Sequence, residues 1–309
     1  MTDLRFDDRV VVITGGGRGL GRAYAELLGA QGARVVVNDL GVTMAGDGTR
    51  EDPAGDVVAA IEAAGGRALA NRDTVATASG GRAIIEQALD SYGRIDVLIH
   101  NAGNVRRAPL AEMTEEIFRS VLDVHLIGGF NVLQPAFAAM CKAGYGRIVM
   151  TTSIGGLYGN YEVANYSAAK AGLIGLSHTA AIEGASHGVK SNCIAPSAVT
   201  RMSEGIDITQ FPPLGPEFVA PAVGWLAHEG CSISGEVLVA LGGRMAKAYL
   251  AETKGAWQSA WSMAEVGARI ADIDDRADSF VFPVVPTEAG GPHGFMKHLG
   301  ASFAMAREG

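Results

Sequence analysis

Along the first four fifths of the chain, short apolar runs rich in β-branched residues alternate with longer stretches of helical pattern. The runs occupy residues 10–14, 33–39, 95–100, 146–151, 189–195 and 236–240. Apolar runs of that length suit strands buried on both faces of a parallel sheet. Between them, residues 22–32, 53–65, 80–92, 115–142 and 165–187 are each long enough for a crossover helix. The alternation predicts an α/β fold with a doubly wound parallel sheet.

Two regions interrupt the pattern. Residues 41–55 bear glycine and aspartate and exceed most strand-to-helix connections, so an exposed excursion is expected there. Residues 200–216 contain Met202, Ile206, Ile208, Phe211 and the pair Pro212-Pro213. They follow a strand's carboxyl end, which suits a substrate lid or a surface loop packed on the body. After Gly243 the alternation stops. Trp257, Trp261, Met263, Val266 and Ile270 suggest a packing helix or subunit contact, and Pro283, Pro286 and Gly290-Gly291-Pro292 mark a loop-rich ending. The expected organisation is one domain over 1–243 and a helical and loop extension over 244–309, packed on that domain or on a neighbouring subunit.

Composition narrows the class. A chain of 309 residues with 48% hydrophobic residues can fill a sizeable core, which fits a globular enzyme. With 25 Lys and Arg against 33 Asp and Glu, the net charge of -8 offers no broad footprint for nucleic acid or an anionic membrane. Cys141, Cys193 and Cys231 are widely separated and odd in number, as in a reducing compartment. The N-terminus has no signal-peptide core, no run of about 18 apolar residues occurs, and the final Arg307-Glu308-Gly309 is not an S-K-L address. A cytoplasmic location is expected. No metal is expected either, because the seven histidines show no ligand spacing.

Candidate chemistry begins at Thr14-Gly15-Gly16-Gly17-Arg18-Gly19-Leu20-Gly21, placed between the first strand and the first helix. Glycines there let backbone N–H groups and a helix N-terminus approach a pyrophosphate, so a nucleotide is expected over Gly15, Arg18, Gly19, Leu20 and Gly21. Asp39 ends the second strand where a carboxylate would accept both ribose hydroxyls and repel a 2′-phosphate, favouring NAD over NADP. Asp73 is placed either against the adenine amino group or as a helix cap. Tyr166 and Lys170 stand at i and i+4, so a phenol and an ammonium share one helix face. An unperturbed phenol titrates near 10, and a neighbouring cation would lower it toward use as a base. Ser153 can hold the reacting oxygen beside Tyr166.

These motifs, taken in order with Asn101-Ala102-Gly103, Pro196 and Thr200, identify residues 6–243 as similar to the short-chain dehydrogenase/reductase family. The resemblance implies a single Rossmann domain, usually in a homodimer or homotetramer, with Ser153, Tyr166 and Lys170 as catalytic residues. It also implies cofactor contacts at Asn101, Gly103, Lys170, Pro196 and Thr200. Several positions depart from the common pattern. His125 replaces a catalytic asparagine, which leaves it either a member of a water-linked proton path or a packing residue, His100 replaces the first Asn of Asn-Asn-Ala-Gly, and Ser197 replaces a glycine.

Asn38-Asp39-Leu40-Gly41, Val124-His125-Leu126, Tyr158-Gly159-Asn160 and Ala227-His228-Glu229 resemble a subgroup, the (3R)-hydroxyacyl-CoA dehydrogenase units of peroxisomal multifunctional enzymes, which also act on 17β-hydroxysteroids. Too few residues follow Gly243 for that group's hydratase and sterol-carrier units, so a lone dehydrogenase is expected. The implied small-molecule substrate is an acyl-CoA or a steroid, bordered by Ser153, Tyr158, Tyr161 and Met202, with Arg106, Arg107, Arg147 or Arg201 available to CoA phosphates. A nucleotide-sensing module and an NADPH-driven reductase are the competing readings.

Overall fold

The computed structural model describes residues 4–42, 51–198, 214–288 and 290–308. The chain divides into two compact units, Met1–Lys247 and Ala248–Gly309.

The first unit is built on one sheet of eight strands: β1 (Val10–Thr14), β2 (Arg34–Asn38), β3 (Arg67–Asn71), β4 (Val97–His100), β5 (Gly146–Thr151), β6 (Val189–Ser197), β7 (Val237–Leu241) and β8 (Arg244–Ala248). Their order is β3-β2-β1-β4-β5-β6-β7-β8, and every pairing from β3 to β7 is parallel. β8 follows β7 through Gly242-Gly243, both at positive φ (53° and 81°), as a tight two-residue hairpin connection demands. Successive strands run outward from β1 to β3, then the chain crosses back to place β4 on the other side of β1. That reversal opens a crevice at the carboxyl ends of β1 and β4.

Both faces of the sheet are covered, which is why its strands read as unbroken apolar runs. On one face Val11, Ile13, Val35, Val37, Val97 and Ile99 join a core with α1 (Gly19–Ala30), α2 (Pro53–Ala63) and α8 (Ala220–Ala227). On the other, Val10, Val12, Val36, Leu98 and Ile148 are fully buried. That face lies toward the mutually packed α3 (Ala78–Tyr92), α5 (Gly128–Ala143) and α7 (Ala164–Gly184). Thr77 caps α3 by accepting the Gly80 N–H at 3.1 Å, and Gly93 ends it in the left-handed conformation.

The segment expected as a single helix over 115–142 is interrupted. α4 (Glu115–Leu122) passes into a π-helical turn, Asp123–Ile127, before α5 begins. The extra residue of such a turn re-aims side chains and is frequent at functional sites. The continuous run Glu115–Ala143 is long and apolar enough by length and composition to cross a membrane. Its buried residues, among them Val121, Val132, Leu133, Ala136 and Met140, belong to the interior of this unit.

In the second unit, β9 (Glu252–Thr253) pairs antiparallel with β10 (Ser279–Phe280). The apolar stripe predicted from Trp257 to Ile270 is not one helix. Ser262 and Glu265 form a reciprocal capping box that starts α9 (Met263–Ala268), which leaves both tryptophans outside, and Arg269 separates α9 from α10 (Ile270–Ile273). α11 (Gly294–Glu308) completes the unit, within which Phe282 stacks on Phe280 and meets His298 edge-on.

Candidate active site at the carboxyl ends of the strands

The glycine turn leaves β1 and enters α1 in the crevice. A Cβ on Gly21 would lie 2.1 Å from Gly15 O, and one on Gly15 would lie 2.8 Å from Ala102 Cα, so neither position accepts a side chain. Arg18 is the N-cap of α1 and makes no side-chain cap, which leaves the first-turn N–H groups around Gly19, Leu20 and Gly21 aimed into the crevice. Asn101 Nδ2 donates to Gly15 O at 3.0 Å and ties this turn to the end of β4. A dinucleotide pyrophosphate fits this donor set.

At the neighbouring strand end, Asp39 Oδ2 accepts the Gly17 N–H at 3.0 Å and Oδ1 accepts the Gly41 N–H at 2.9 Å. Both carboxylate oxygens are thereby oriented, each with a lone pair left for a hydroxyl donor. The Arg18 guanidinium donates to Val42 O at 3.1 Å and pairs with Glu51. Asp73 stands one strand further out in a network in which Asn71 Nδ2 donates to its carboxylate at 2.8 Å and Asn38 Nδ2 donates to its carbonyl at 2.8 Å. Thr77, not Asp73, caps the helix that follows.

Ser153, Tyr166 and Lys170 meet beside this crevice. Ser153 is the N-cap of the short α6 (Ile154–Tyr158), its Oγ accepting the Gly155 N–H at 3.1 Å. Tyr166 is hydrogen-bonded to Ser153. Gly156 lets α6 press on α7, since a Cβ there would lie 2.8 Å from Lys170 atoms, and Thr152 Oγ1 donates to Lys170 O at 2.7 Å. Lys170 is buried and donates from Nζ to Thr151 O at 2.5 Å, with Nζ 5.5 Å from the centre of the Tyr166 ring.

The electrostatics differ from the sequence expectation. Burial raises the Tyr166 phenol above its ordinary value, and the bond to Ser153 offsets that only in part. Burial also draws the Lys170 ammonium down to about 7. Burial therefore favours the neutral forms of both side chains, and the expected acidification needs further positive charge next to the phenol.

His125 is fully buried on the π turn, its ring edge-on to Tyr166 with centroids 5.2 Å apart. Its Nε2 lies 2.8 Å from Asn104 O and 3.1 Å from Asn104 N. One nitrogen thus has a carbonyl to receive its proton and an N–H to fill its lone pair, so both neutral tautomers are satisfied at Nε2. Nδ1 has no protein partner among the described residues. The ring also explains Gly103, where a Cβ would lie 2.3 Å from His125 Cε1.

The preceding motif hid a second polar link. Thr14 Oγ1 accepts the N–H groups of Asn101 and Ala102 at 3.1 and 3.2 Å, so its own proton goes to His100 Nδ1 at 2.9 Å. His100 is then protonated at Nε2, which donates to His125 O at 2.9 Å. Burial brings His100 down to about 4 and takes His125 well below its ordinary value, with the lysine charge adding to both. The chain Thr14–His100–His125 joins the glycine turn to the bend behind Tyr166. Its signal in the sequence was the pair of histidines at positions usually held by asparagine.

At the rim, Tyr158 and Tyr161 are 83% and 89% exposed. Pro196 lies in β6 opposite Ala240 of β7. Thr200, Arg201 and Met202, with the lid expected over 200–216 up to residue 213, lie outside the described residues, as do 43–50 of the first excursion. Arg147 is not a rim residue. It begins β5 at the opposite end of the sheet, where its guanidinium donates to the carbonyls of Gly146, Gly188, His228 and Glu229.

Comparison with known proteins places these features in a wider group. The profile described as short chain dehydrogenase matches residues 9–209. The peroxisomal multifunctional enzyme type 2 of Drosophila melanogaster is 47% identical over 255 residues, 82% of this chain and 42% of that enzyme. Its full-length structure superposes with a TM-score of 0.79 at 35% identity, covering 98% of this chain and 50% of that one. The chain thus spans half or less of that relative. A crystal structure of a short chain dehydrogenase from Mycobacterium avium has a TM-score of 0.76 at 41% identity, covering 86% and 94% of the two chains. The 3-oxoacyl-[acyl-carrier-protein] reductase of a Synechocystis species is 41% identical over 229 residues, 72% of this chain and 90% of that protein.

Proposed function

The chain belongs to the short-chain dehydrogenase family, and from that premise we propose that it is an NAD-dependent oxidoreductase interconverting the secondary alcohol and ketone of a (3R)-hydroxyacyl-CoA. The observation that carries the reaction class is the convergence of Ser153, Tyr166 and Lys170 beside the glycine turn at the carboxyl ends of the strands. NAD is favoured over NADP by the two-point orientation of Asp39 and by the engagement of Arg18 with Glu51, which leaves a 2′-phosphate facing a carboxylate. The acyl thioester is favoured by the relatives, one named for its action on 3-oxoacyl groups and one a peroxisomal multifunctional enzyme.

When bound, the nicotinamide supplies the hydride acceptor at C4 and, oxidised, a positive charge near the phenol. Ser153 holds the alcohol oxygen, and Tyr166 takes its proton as the carbonyl forms. Lys170, fixed on Thr151 O, keeps two N–H donors, one for a ribose hydroxyl and one to stabilise the tyrosinate that accepts the alcohol proton. His125 extends the path: because either tautomer is satisfied at Nε2, Nδ1 can pass between acceptor and donor without the ring turning. In the reverse direction Tyr166 is the acid. A homodimer or homotetramer belongs to the same reading, with Ile127 and Phe130 left exposed on the long helical run, and light scattering on the purified chain measures it.

The test is NADH absorbance after mixing the protein with NAD and, separately, a (3R)-hydroxyacyl-CoA, its 3S isomer, a 17β-hydroxysteroid and simple secondary alcohols, repeated with NADP. The expected result is reduction of NAD with the 3R thioester. Selective steroid oxidation would move the substrate assignment, and NAD binding without turnover on any alcohol would favour a sensing module.

A further inference from the structure

The helix that carries the tyrosine starts without an ordinary cap. Val163 occupies the N-cap of α7 and offers no side-chain acceptor, and the helical ladder opens with Ser167 N–H donating to Val163 O at 2.8 Å. The N–H groups of residues 164–166 must therefore find acceptors elsewhere. For Tyr166 the acceptor is the side chain of the preceding residue, Asn165 Oδ1, at 2.7 Å.

Asn165 is fully buried, and its carboxamide is used in every direction. While Oδ1 accepts from Tyr166, Nδ2 donates to Arg106 O at 3.0 Å and to Ile117 O at 3.2 Å. One side chain therefore joins the start of the catalytic helix, the loop leaving β4 and the middle of α4. The same loop is held at two further points. Ala108 N–H donates to Glu162 O at 2.9 Å, and Asn104 is bound to His125 through its backbone and to Ser120 O through its side chain at 3.0 Å. Glu162 sits in the left-handed region at φ 61°, a costly conformation for glutamate that these contacts sustain.

We infer that Asn165 is a positioning residue of the Ser153, Tyr166 and Lys170 centre, acting through the Tyr166 N–H and coupling the phenol to the loop over 104–109. The inference rests on the dehydrogenase reading above. Only a carboxamide satisfies the site, because it must present one acceptor and two donors from a single group. Aspartate would keep the acceptor for Tyr166 and turn its other oxygen on two carbonyls. Leucine would fill the volume and lose all three bonds.

The experiment compares wild type, Asn165→Asp, Asn165→Leu and Tyr166→Phe for NAD affinity by fluorescence, thermal midpoint, kcat, KM and the pH profile of kcat. Both Asn165 variants are expected to lose kcat by on the order of 100-fold, the effect of displacing a reacting group by about 1 Å. Their NAD affinity and KM should stay near wild type, and the Tyr166 limb of the pH profile should move. Wild-type kcat and pH profile in either variant, with only the melting point lowered, would overturn the inference and leave Asn165 a structural residue. If neither variant folds, Asn165→Ser retains one hydroxyl donor and acceptor, and full kcat in that protein would overturn it equally. A wild type that oxidises no alcohol sinks the dehydrogenase reading and this inference with it. An active wild type, an inactive Tyr166→Phe and full-rate Asn165 variants would sink this inference alone.

Discussion

At the amino ends of the strands, Asp96 is buried to 2% side-chain exposure yet accepts from Arg9 at 3.1 Å, from Arg94 and from the Val10 N–H at 2.9 Å, whereas at the carboxyl ends the equally buried Lys170 faces no carboxylate among the described residues and donates to one carbonyl. The first end goes further in matching its charges. Tyr145 lies between the guanidinium groups of Arg9 and Arg147, 4.2 and 4.5 Å from its ring centre, and Arg147 is met by four carbonyls. The second end keeps two neutral histidines and leaves His125 Nδ1, Asn104 Oδ1 and Thr151 Oγ1 without partners among the described residues. Buried charge that is fully matched holds elements together, and buried charge left unmatched is held ready for a ligand or a proton.

The contrast breaks most visibly if Asp96 is removed. Asp96→Ala leaves Arg9 and Arg94 facing each other and frees the Val10 N–H, so urea denaturation should show a loss of about 3–5 kcal/mol with kcat of the folded protein unchanged. A loss under about 1 kcal/mol would mean that the amino-end network is ornamental.

The next largest effect is in acid. His100 titrates at about 4 in the folded protein against an ordinary 6.5, so its neutral form contributes stability above pH 6.5 that is lost as the pH falls toward 4. The contribution is about 3 kcal/mol, and His125 is displaced in the same direction. Unfolding curves of wild type and His100→Asn between pH 7 and 4 should therefore converge on acidification, with the wild type losing more. Parallel curves would show that His100 is not held neutral.

Lys170 acts with the same sign over a higher pH window. Its folded value of about 7 lies below the ordinary 10.5, so its contribution to stability rises from pH 7 to 10.5 and is least below 7. Lys170→Met should accordingly raise stability at pH 7, by on the order of 2 kcal/mol, while turnover is lost. A destabilised Lys170→Met protein would place the lysine among the matched charges. The smallest expected change is at Asp39. Asp39→Ser should narrow the preference for NAD over NADP by about tenfold, or roughly 1.4 kcal/mol, in ratios of kcat/KM.

Much of this architecture was legible in the sequence, because strands buried on both faces leave uninterrupted apolar runs such as Val10-Val11-Val12-Ile13. β3 left no such run, because Arg67-Ala68-Leu69-Ala70-Asn71 has no β-branched residue and is a strand through its pairing with β2. The helix break at Asp123–Ile127 left no proline or glycine signal at its start and is visible only in three dimensions. At the site, Tyr166, Lys170 and Ser153 were readable from spacing. The roles of His100, Asn104 and Asn165 were not, since each works through atoms 16 to 86 residues away or next door. Arg147 misled for a related reason, because a charge beside an apolar run does not reveal which end of the sheet it serves.

The proposed role of the unmatched groups at the carboxyl ends is proton transfer from an alcohol. Its most direct test is single-turnover NADH formation from a (3R)-hydroxyacyl-CoA by wild type and Tyr166→Phe, with NAD affinity measured on the same samples. NAD affinity should be unchanged and the rate lowered by about 10²–10⁴-fold in the variant. Equal rates in the two proteins would contradict it.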